Sequence, residues 1–300
     1  MSSSQVQTPF NPSRSIFPET LGKAVSTQRL RNRRILVVGA GQPTKVDPYA
    51  PKAGTEPISN GRAISLLFAR EGATIVCLDS RLNAPSATVE QISAEGGSAH
   101  ALDFDVRADA EDIPSAVDKA KALLGGRLDG IVLCLGISRV LPLGKGTGQG
   151  WDEELAATVR AHVLFTQRVL EKDVLAPGGS VVVLSSVAGQ RGGRGELVHE
   201  SSRAALAAIV KGAAREGASK GVRVNGVSPG WVDAPTMFDA SSTKNPVAKA
   251  PFGRQATAWE IAYTSLFLMS HESTYISGIS INMDGGHYAR VDGGASASKL

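Results

Sequence analysis

Along most of the chain, short apolar runs alternate with stretches whose apolar positions recur at helical spacing. The strand-like runs are RILVVG (34–39), TIVCLD (74–79), AHALDF (99–104), DGIVLCLG (129–136), GSVVVLSS (179–186), VRVNGVSP (222–229) and ISINMDG (279–285). The patterns between them predict helices near 61–71, 86–95, 111–124, 151–172, 197–218 and 257–270. Near-continuous apolar strands separated by helices imply a parallel sheet covered on both faces. The expectation is therefore one α/β domain over 34–287, a doubly wound sheet of seven strands in three layers joined by right-handed crossovers. Two segments break the pattern. Residues 42–57 (QPTKVDPYAPKAGTEP) hold four prolines and form neither helix nor central strand. Residues 233–252 form a long polar connection of the kind that serves as a lid over a site.

Composition changes this picture little. Three hundred residues with 42% hydrophobic and 20% charged content describe an ordinary globular chain. No apolar run approaches the ~20 residues needed to span a bilayer, so no membrane association is expected. The charge is more telling when located. Arg14, Lys23, Arg29, Arg31, Arg33 and Arg34 face Glu19 alone, so residues 1–34 carry +5 of a net charge of +4 and the remainder is near −1. Residues 1–33 thus read as a basic, solvated arm. No basic face continues into the body, and no nucleic-acid partner is expected. Cys77 and Cys134 sit inside strand-like runs and read as buried thiols, which suggests a reducing, intracellular compartment. No His/Cys/carboxylate group has zinc spacing, so no catalytic metal is expected.

RILVVGAG runs a strand into a glycine turn. Without side chains at Gly39 and Gly41 the backbone can approach a pyrophosphate, toward which the helix opened by Asn60 and Gly61 aims free N–H groups. The second strand ends in Asp79, a carboxylate able to accept from the adenosine ribose hydroxyls. It would repel a 2′-phosphate, which favours NAD over NADP; Arg81 nearby blurs that preference.

From about residue 33 to 286 the chain resembles the short-chain dehydrogenases/reductases. NGRAISLLFAREGATIVCLDSR is similar to that family's first helix and second strand. DFDV carries its adenine-contacting Asp-Val as Asp105 and Val106. In VRVNGVSPGWVDAP, Val232 falls where the family meets the nicotinamide carboxamide, and Ala234 where it usually has a threonine. FLMSHESTYISGISINMDGG is similar to its last helix and strand. The resemblance implies a Rossmann-like sheet of order 3-2-1-4-5-6-7, an NAD(P) cofactor, a small-molecule substrate and a homodimer or homotetramer. The departures are specific. The insert 42–57 separates Gly41 from the helix, either as a lid over the pyrophosphate or, the reading preferred here, as an outward flap. Ser59 replaces a glycine of the family's pattern, and of its Asn-Asn-Ala-Gly only Gly136 survives.

In the family a serine polarises the substrate oxygen and a tyrosine exchanges its proton. A lysine lowers the tyrosine pKa and holds the ribose, while an asparagine maintains a water relay. These positions fall on Ser186, His199, Arg203 and Thr158. Residues four apart share a helix face, so His199 and Arg203 can both face the pocket. Imidazole exchanges a proton near neutrality, and the guanidinium can hold ribose hydroxyls but not pass a proton. Arg203 is also expected to disfavour the protonated imidazole. The expectation is alcohol oxidation with His199 as acid/base. Two alternatives stand beside it: a non-redox isomerase, lyase or cyclase on the same scaffold, and a pseudoenzyme.

Other candidates carry less. Arg139, Arg191 and Arg194 could border a carboxylate or CoA phosphate. His287 and Tyr288 follow the last strand as a tail, and His162 reads as packing. The terminal Ser298-Lys299-Leu300 matches the address read by the peroxisomal import receptor, with a cytoplasmic location as the alternative. Pro9, Pro12, Pro18 and Glu19 make an amphipathic transit peptide at the other end less convincing.

Overall fold

The computed structural model describes residues 17–42, 58–80, 84–107, 112–136, 146–191, 196–234 and 251–289. Its sheet has seven strands: β1 (Arg34–Val38), β2 (Thr74–Asp79), β3 (Ser98–Asp103), β4 (Leu128–Leu133), β5 (Leu175–Leu184), β6 (Arg223–Pro229) and β7 (Ser280–Met283). All pair in parallel in the order β3-β2-β1-β4-β5-β6-β7. The helices are α1 (Asn60–Arg70), α2 (Pro85–Ala94), α3 (Ile113–Leu123), α4 (Gly148–Leu155), α5 (Ala161–Val169), α6 (Leu197–Ala218) and α7 (Ala258–Met269).

Both faces of the sheet are buried, which is why its strands read as unbroken apolar runs. Ile35, Val37, Ile75, Cys77 and Val182 point to a layer made by α1, α2 and α7. Leu36, Val38, Val76, Val181 and Val183 point to the opposite layer of α3, α5 and α6. Phe68 and Phe165, fully buried, anchor the two layers. Burying a side chain of that size contributes about 1.5–3 kcal/mol. Chain order reverses between β1 and β4, and the crevice at the carboxyl ends of these two strands is where such sheets bind ligands.

Three features depart from the sequence reading. The part of the basic arm from Phe17 onward is anchored to the body through buried Thr20 and Leu30, while most of its other side chains, Phe17, Lys23 and Val25 among them, stay exposed. Leu30 is fully buried in the α1–α7 layer. The Thr20 carbonyl accepts from Thr257 Oγ1 at 2.8 Å, Arg70 Nη1 donates to the Gly22 carbonyl at 2.8 Å, and Arg29 pairs with Glu71. Arg29 of the arm thus serves as a local counter-charge for Glu71 in this layer. Secondly, the single helix expected over 151–172 is interrupted by a π-helical turn at Ala156–Arg160. Thirdly, the connection after β6 begins with a two-residue pairing of Val232–Asp233 with Ala256–Thr257. Residues 235–250, most of the expected lid, lie outside the described residues, as do 43–57 of the insert and the Ser298-Lys299-Leu300 terminus.

Candidate active site

The nucleotide side of the crevice is built by backbone contact. Gly39 has φ 87°, and a Cβ there would lie 2.2 Å from the Cys134 carbonyl oxygen. A Cβ on Gly61 would lie 1.8 Å from the Gly39 carbonyl oxygen, so α1 packs directly on the turn. Ser59 joins the two sides of the insert. Its hydroxyl donates to the Gly41 carbonyl at 2.6 Å and accepts from Arg62 N at 3.2 Å, capping α1, while its N–H donates to Gln42 Oε1 at 2.9 Å. Turn and helix therefore meet as they would without the intervening residues. Asp79 holds the same turn: Oδ2 accepts from Gly41 N at 2.9 Å and Oδ1 from Ser80 N at 2.7 Å.

The remaining cofactor candidates are less uniform. Asn60 opens α1 with a buried Oδ1 that has no hydrogen-bond partner among the described residues. Asp105 is occupied by Arg107, whose side-chain hydrogen bonds hold the carboxyl below its ordinary range despite partial burial. Val106 is half-buried and packs on the second core layer. Gly136 has φ 137°, and a Cβ on it would fall 2.2 Å from Arg203 Nη2. Val232 and Ala234 are both buried. A glycine turn free of side chains, the N-terminal end of α1 and a carboxylate at the end of β2 together fit a dinucleotide.

On the other side of the crevice, α6 opens with His199 and Arg203 one turn apart, and both side chains are mostly buried. They share a neighbour that the sequence reading missed. Glu154, on α4, is fully buried. Its Oε1 accepts from Ser202 Oγ at 3.1 Å and from Thr158 Oγ1 at 3.3 Å, and lies 3.9 Å from His199 Nδ1. That last distance is an ion-pair separation, not a hydrogen bond. Burial pushes the Glu154 carboxyl up, but His199, the Arg203 charge and Ser202 together outweigh it and hold the group below the ordinary range. Arg203 donates through Nη1 to the Leu135 carbonyl at 3.2 Å. Burial lowers its pKa, and the Glu154 charge opposes that shift. A buried guanidinium cannot shed its proton as a lysine can, and the charge of Glu154 acts on it without a direct ion-pair contact. The imidazole thus faces a carboxylate as well as the guanidinium considered in the sequence.

Thr158 belongs to the same cluster through its hydroxyl. Its carbonyl, on the π turn, accepts from His162 Nδ1 at 2.5 Å, while His162 Nε2 lies 3.4 Å from the Leu133 carbonyl. Burial pushes the His162 pKa down to about 4, so the ring is neutral and donates only once, through the shorter contact. Glu154, Thr158 and His162 recur at four-residue spacing. That inward polar stripe within WDEELAATVRAH was the available signal for Glu154.

Ser186 is at the carboxyl end of β5. Its hydroxyl accepts from Ala188 N at 3.2 Å and lies 3.4 Å from the Pro229 carbonyl; among the described residues it makes no hydrogen bond to the Glu154 cluster. Arg191 Nη1 donates to the His287 carbonyl at 2.7 Å, fastening the turn after β7 beside the β5 loop. Tyr288 is exposed. Burial pushes both Cys77 and Cys134 up to about 12, so neither thiol is a nucleophile near neutrality. Asp233, also unremarked in the sequence, has a buried Oδ1 without a partner among the described residues, and burial raises its carboxyl. Arg81, Arg139 and Arg194 lie outside the described residues. Among those described, no three His, Cys, Asp or Glu side chains gather to hold a metal, and no helix is long and apolar enough to cross a membrane.

A family model described as enoyl-(acyl carrier protein) reductase matches residues 57–288. The chain belongs to the short-chain dehydrogenases/reductases. Among curated members of the family it is 31% identical to the 3-oxoacyl-[acyl-carrier-protein] reductase FabG of Thermotoga maritima, over 75% of this chain and 92% of that protein. It is 33% identical to a cyclopentanol dehydrogenase of a Comamonas species, over 74% and 90% of the respective chains. A short-chain dehydrogenase/reductase structure from Burkholderia xenovorans superposes with a TM-score of 0.77 at 30% identity, covering 88% of this chain and 99% of that one. A Burkholderia cenocepacia member solved with NADP gives a TM-score of 0.74 at 26% identity, over 86% and 99%. The seven-stranded order is thus that of its structural neighbours, and the chain is an oxidoreductase-type member of the family.

Proposed function

We propose that this short-chain dehydrogenase/reductase oxidises an alcohol, with NAD as the preferred cofactor and His199 and Arg203 in place of the family's tyrosine and lysine. The observation that carries the reading is the buried cluster of His199, Arg203 and Glu154 at the crevice. There a proton-exchanging ring is held one helical turn from a fixed positive charge whose counter-charge is built into the fold.

Gly39, Gly41, Asn60 and Gly61 would cradle the pyrophosphate, and Asp79 would accept from the ribose. Asp105 and Val106 would flank the adenine, while Gly136, Arg203 and Val232 would border the nicotinamide riboside. When bound, the dinucleotide supplies the hydride acceptor. The residues of this chain handle the proton. Ser186 would align the substrate oxygen, and the imidazole of His199 takes the hydroxyl proton as the carbon gives up its hydride, leaving a carbonyl. Thr158 acts through Glu154 instead of through a relay of its own. Members of the family bind NAD(P), and the choice of NAD rests on the Asp79 carboxylate. A homodimer or homotetramer, and peroxisomal delivery through Ser298-Lys299-Leu300, complete the proposal.

NADH and NADPH titrations followed by nucleotide fluorescence test the cofactor. Tighter binding of NADH, with the preference reduced in Asp79→Ala, is expected; equal binding by the wild-type protein refutes the preference. A panel of alcohols scanned for NADH formation tests the chemistry. Loss of turnover in His199→Ala, with NADH affinity retained, is the expected result. Unchanged turnover, or transformation of a metabolite with no change in nucleotide redox state, defeats it. Removal of Ser298 to Leu300 from the full chain should abolish peroxisomal localisation.

A further inference from the structure

We infer that Glu154 is the positioning residue of this site: it keeps the proton of neutral His199 on Nδ1, so that Nε2 is the nitrogen presented to substrate as base. The inference rests on the proposed acid/base role of His199 but concerns a residue and an atom which that role leaves open.

The geometry allows one assignment. His199 Nδ1 is buried and has no hydrogen-bond partner among the described residues, and the nearest charged atom is Glu154 Oε1 at 3.9 Å. A neutral imidazole carries one N–H and one lone pair. If the lone pair were on Nδ1, it would be buried facing a carboxylate, lone pair against lone pair. Among the described residues no donor is placed to reach it: the single proton of the neighbouring Ser202 hydroxyl already has two acceptors within reach, the His199 carbonyl at 2.9 Å and Glu154 Oε1 at 3.1 Å. Placing the proton on Nδ1 turns this repulsion into attraction. Glu154 Oε2 is itself buried and without a partner, which gives the carboxylate free acceptor capacity toward the ring. Thr158 donates to Oε1 from the π turn, and the Ser202 hydroxyl on α6 shares its one proton between Oε1 and the His199 carbonyl, so the carboxylate is held from both sides. Among the described residues the charged groups that face the imidazole are Glu154 from α4 and Arg203 from α6, while Glu196 and Glu200 flank it on its own helix. Glu154 thus does two things at once, neutralising a guanidinium that cannot lose its charge and selecting a tautomer. A lone histidine in water prefers the opposite tautomer, with the proton on Nε2, and would present Nε2 as donor instead of base.

The test is a tautomer measurement that needs no substrate. Full-length protein with ¹⁵N-labelled histidine contains five imidazoles, which long-range ¹H–¹⁵N correlation spectra resolve, with His199→Gln assigning the relevant one. At a pH where the ring is neutral, His199 should show a pyrrole-type Nδ1 and a pyridine-type Nε2. In Glu154→Gln the Nδ1–H population should fall, and in Glu154→Ala it should fall further, toward the tautomer that dominates in free histidine. If neither variant folds, the wild-type spectrum still decides: a pyridine-type Nδ1 overturns the inference. So does a folded Glu154→Ala protein that is less stable yet keeps its tautomer, since that is a structural role only. The two readings fail separately. A His199 carrying the Nδ1 proton but dispensable for turnover removes the proposed function and leaves the positioning role; an essential His199 protonated on Nε2 does the reverse.

Discussion

The charges of Arg203 and Glu154, which act on each other without a direct ion-pair contact, make a demand on stability. Glu154 is 0% exposed and Arg203 8%, so little solvent screens one from the other. Arg203→Met removes the charge but keeps much of the volume against Gly136, leaving Glu154 buried without its main cation. Glu154→Gln does the converse. Each single change should cost about 1–3 kcal/mol, part of it from the buried polar partners left unsatisfied. The double variant strands nothing, so its loss should be smaller than the sum of the singles by about 1–3 kcal/mol. Urea unfolding followed by far-ultraviolet circular dichroism at pH 8 measures all four corners of this cycle. Additivity within about 0.5 kcal/mol would refute the coupling. The pH dependence supplies an independent sign. In the wild-type protein the Glu154 pKa is depressed on folding, so its contribution is present above the unfolded value and is lost as pH falls through the folded one. In Arg203→Met one of the influences holding the carboxyl down is lost, so the folded pKa should lie higher than in the wild-type protein. The stability difference between the two proteins should therefore widen as pH rises from the wild-type folded pKa to the variant's; a constant difference across the acid range contradicts the assignment.

Three further outcomes follow from the fold. Leu30→Ala, at a fully buried position of the arm, should lower the unfolding free energy by about 2–5 kcal/mol, and a cost below about 0.5 kcal/mol would mean that the arm is not packed. Gly61→Ala would set a Cβ 1.8 Å from a backbone oxygen, so it should cost about 1–3 kcal/mol or more and weaken NADH binding; an unchanged melting temperature and affinity would contradict the close packing of α1 on the Gly39 turn. Ser59→Ala removes a helix cap and a bond to the Gly41 carbonyl, a loss of about 0.5–2 kcal/mol that Ser59→Asp should partly recover as a cap.

The fold was legible because its strands are buried on both faces. Runs such as TIVCLD and GSVVVLSS admit few other readings, and the structure places strands within two to four residues of each expected boundary. The arm was misread because charge density was taken as solvation. Arg29 and Arg70 instead lie beside Tyr263 and Trp259 and meet Glu71 and Glu95 across the α1–α7 layer, a tertiary arrangement that no local pattern announces. The π turn was hidden for a similar reason: it coincides with the His162–Thr158 contact inside a stretch of good helix formers. Within the candidate site, Ser186, His199 and Arg203 were accessible by resemblance. Glu154 was not, since its position in that resemblance carries no role. Only the four-residue recurrence of Glu154, Thr158 and His162, combined with the burial of α4 against α6, makes it visible.

The strap that begins the described chain closes onto α7, the last α-helix among the described residues. Thr20 and Thr257 are 237 positions apart, and Leu30 shares its layer with Trp259 and Leu266. Until α7 emerges from the ribosome, the amino-terminal segment has no surface to settle on and its leucine stays wetted. The strap and α7 therefore share one fate. Losing α7 would release the strap, and cutting the strap would bare α7, so protease sensitivity of one should report the integrity of the other.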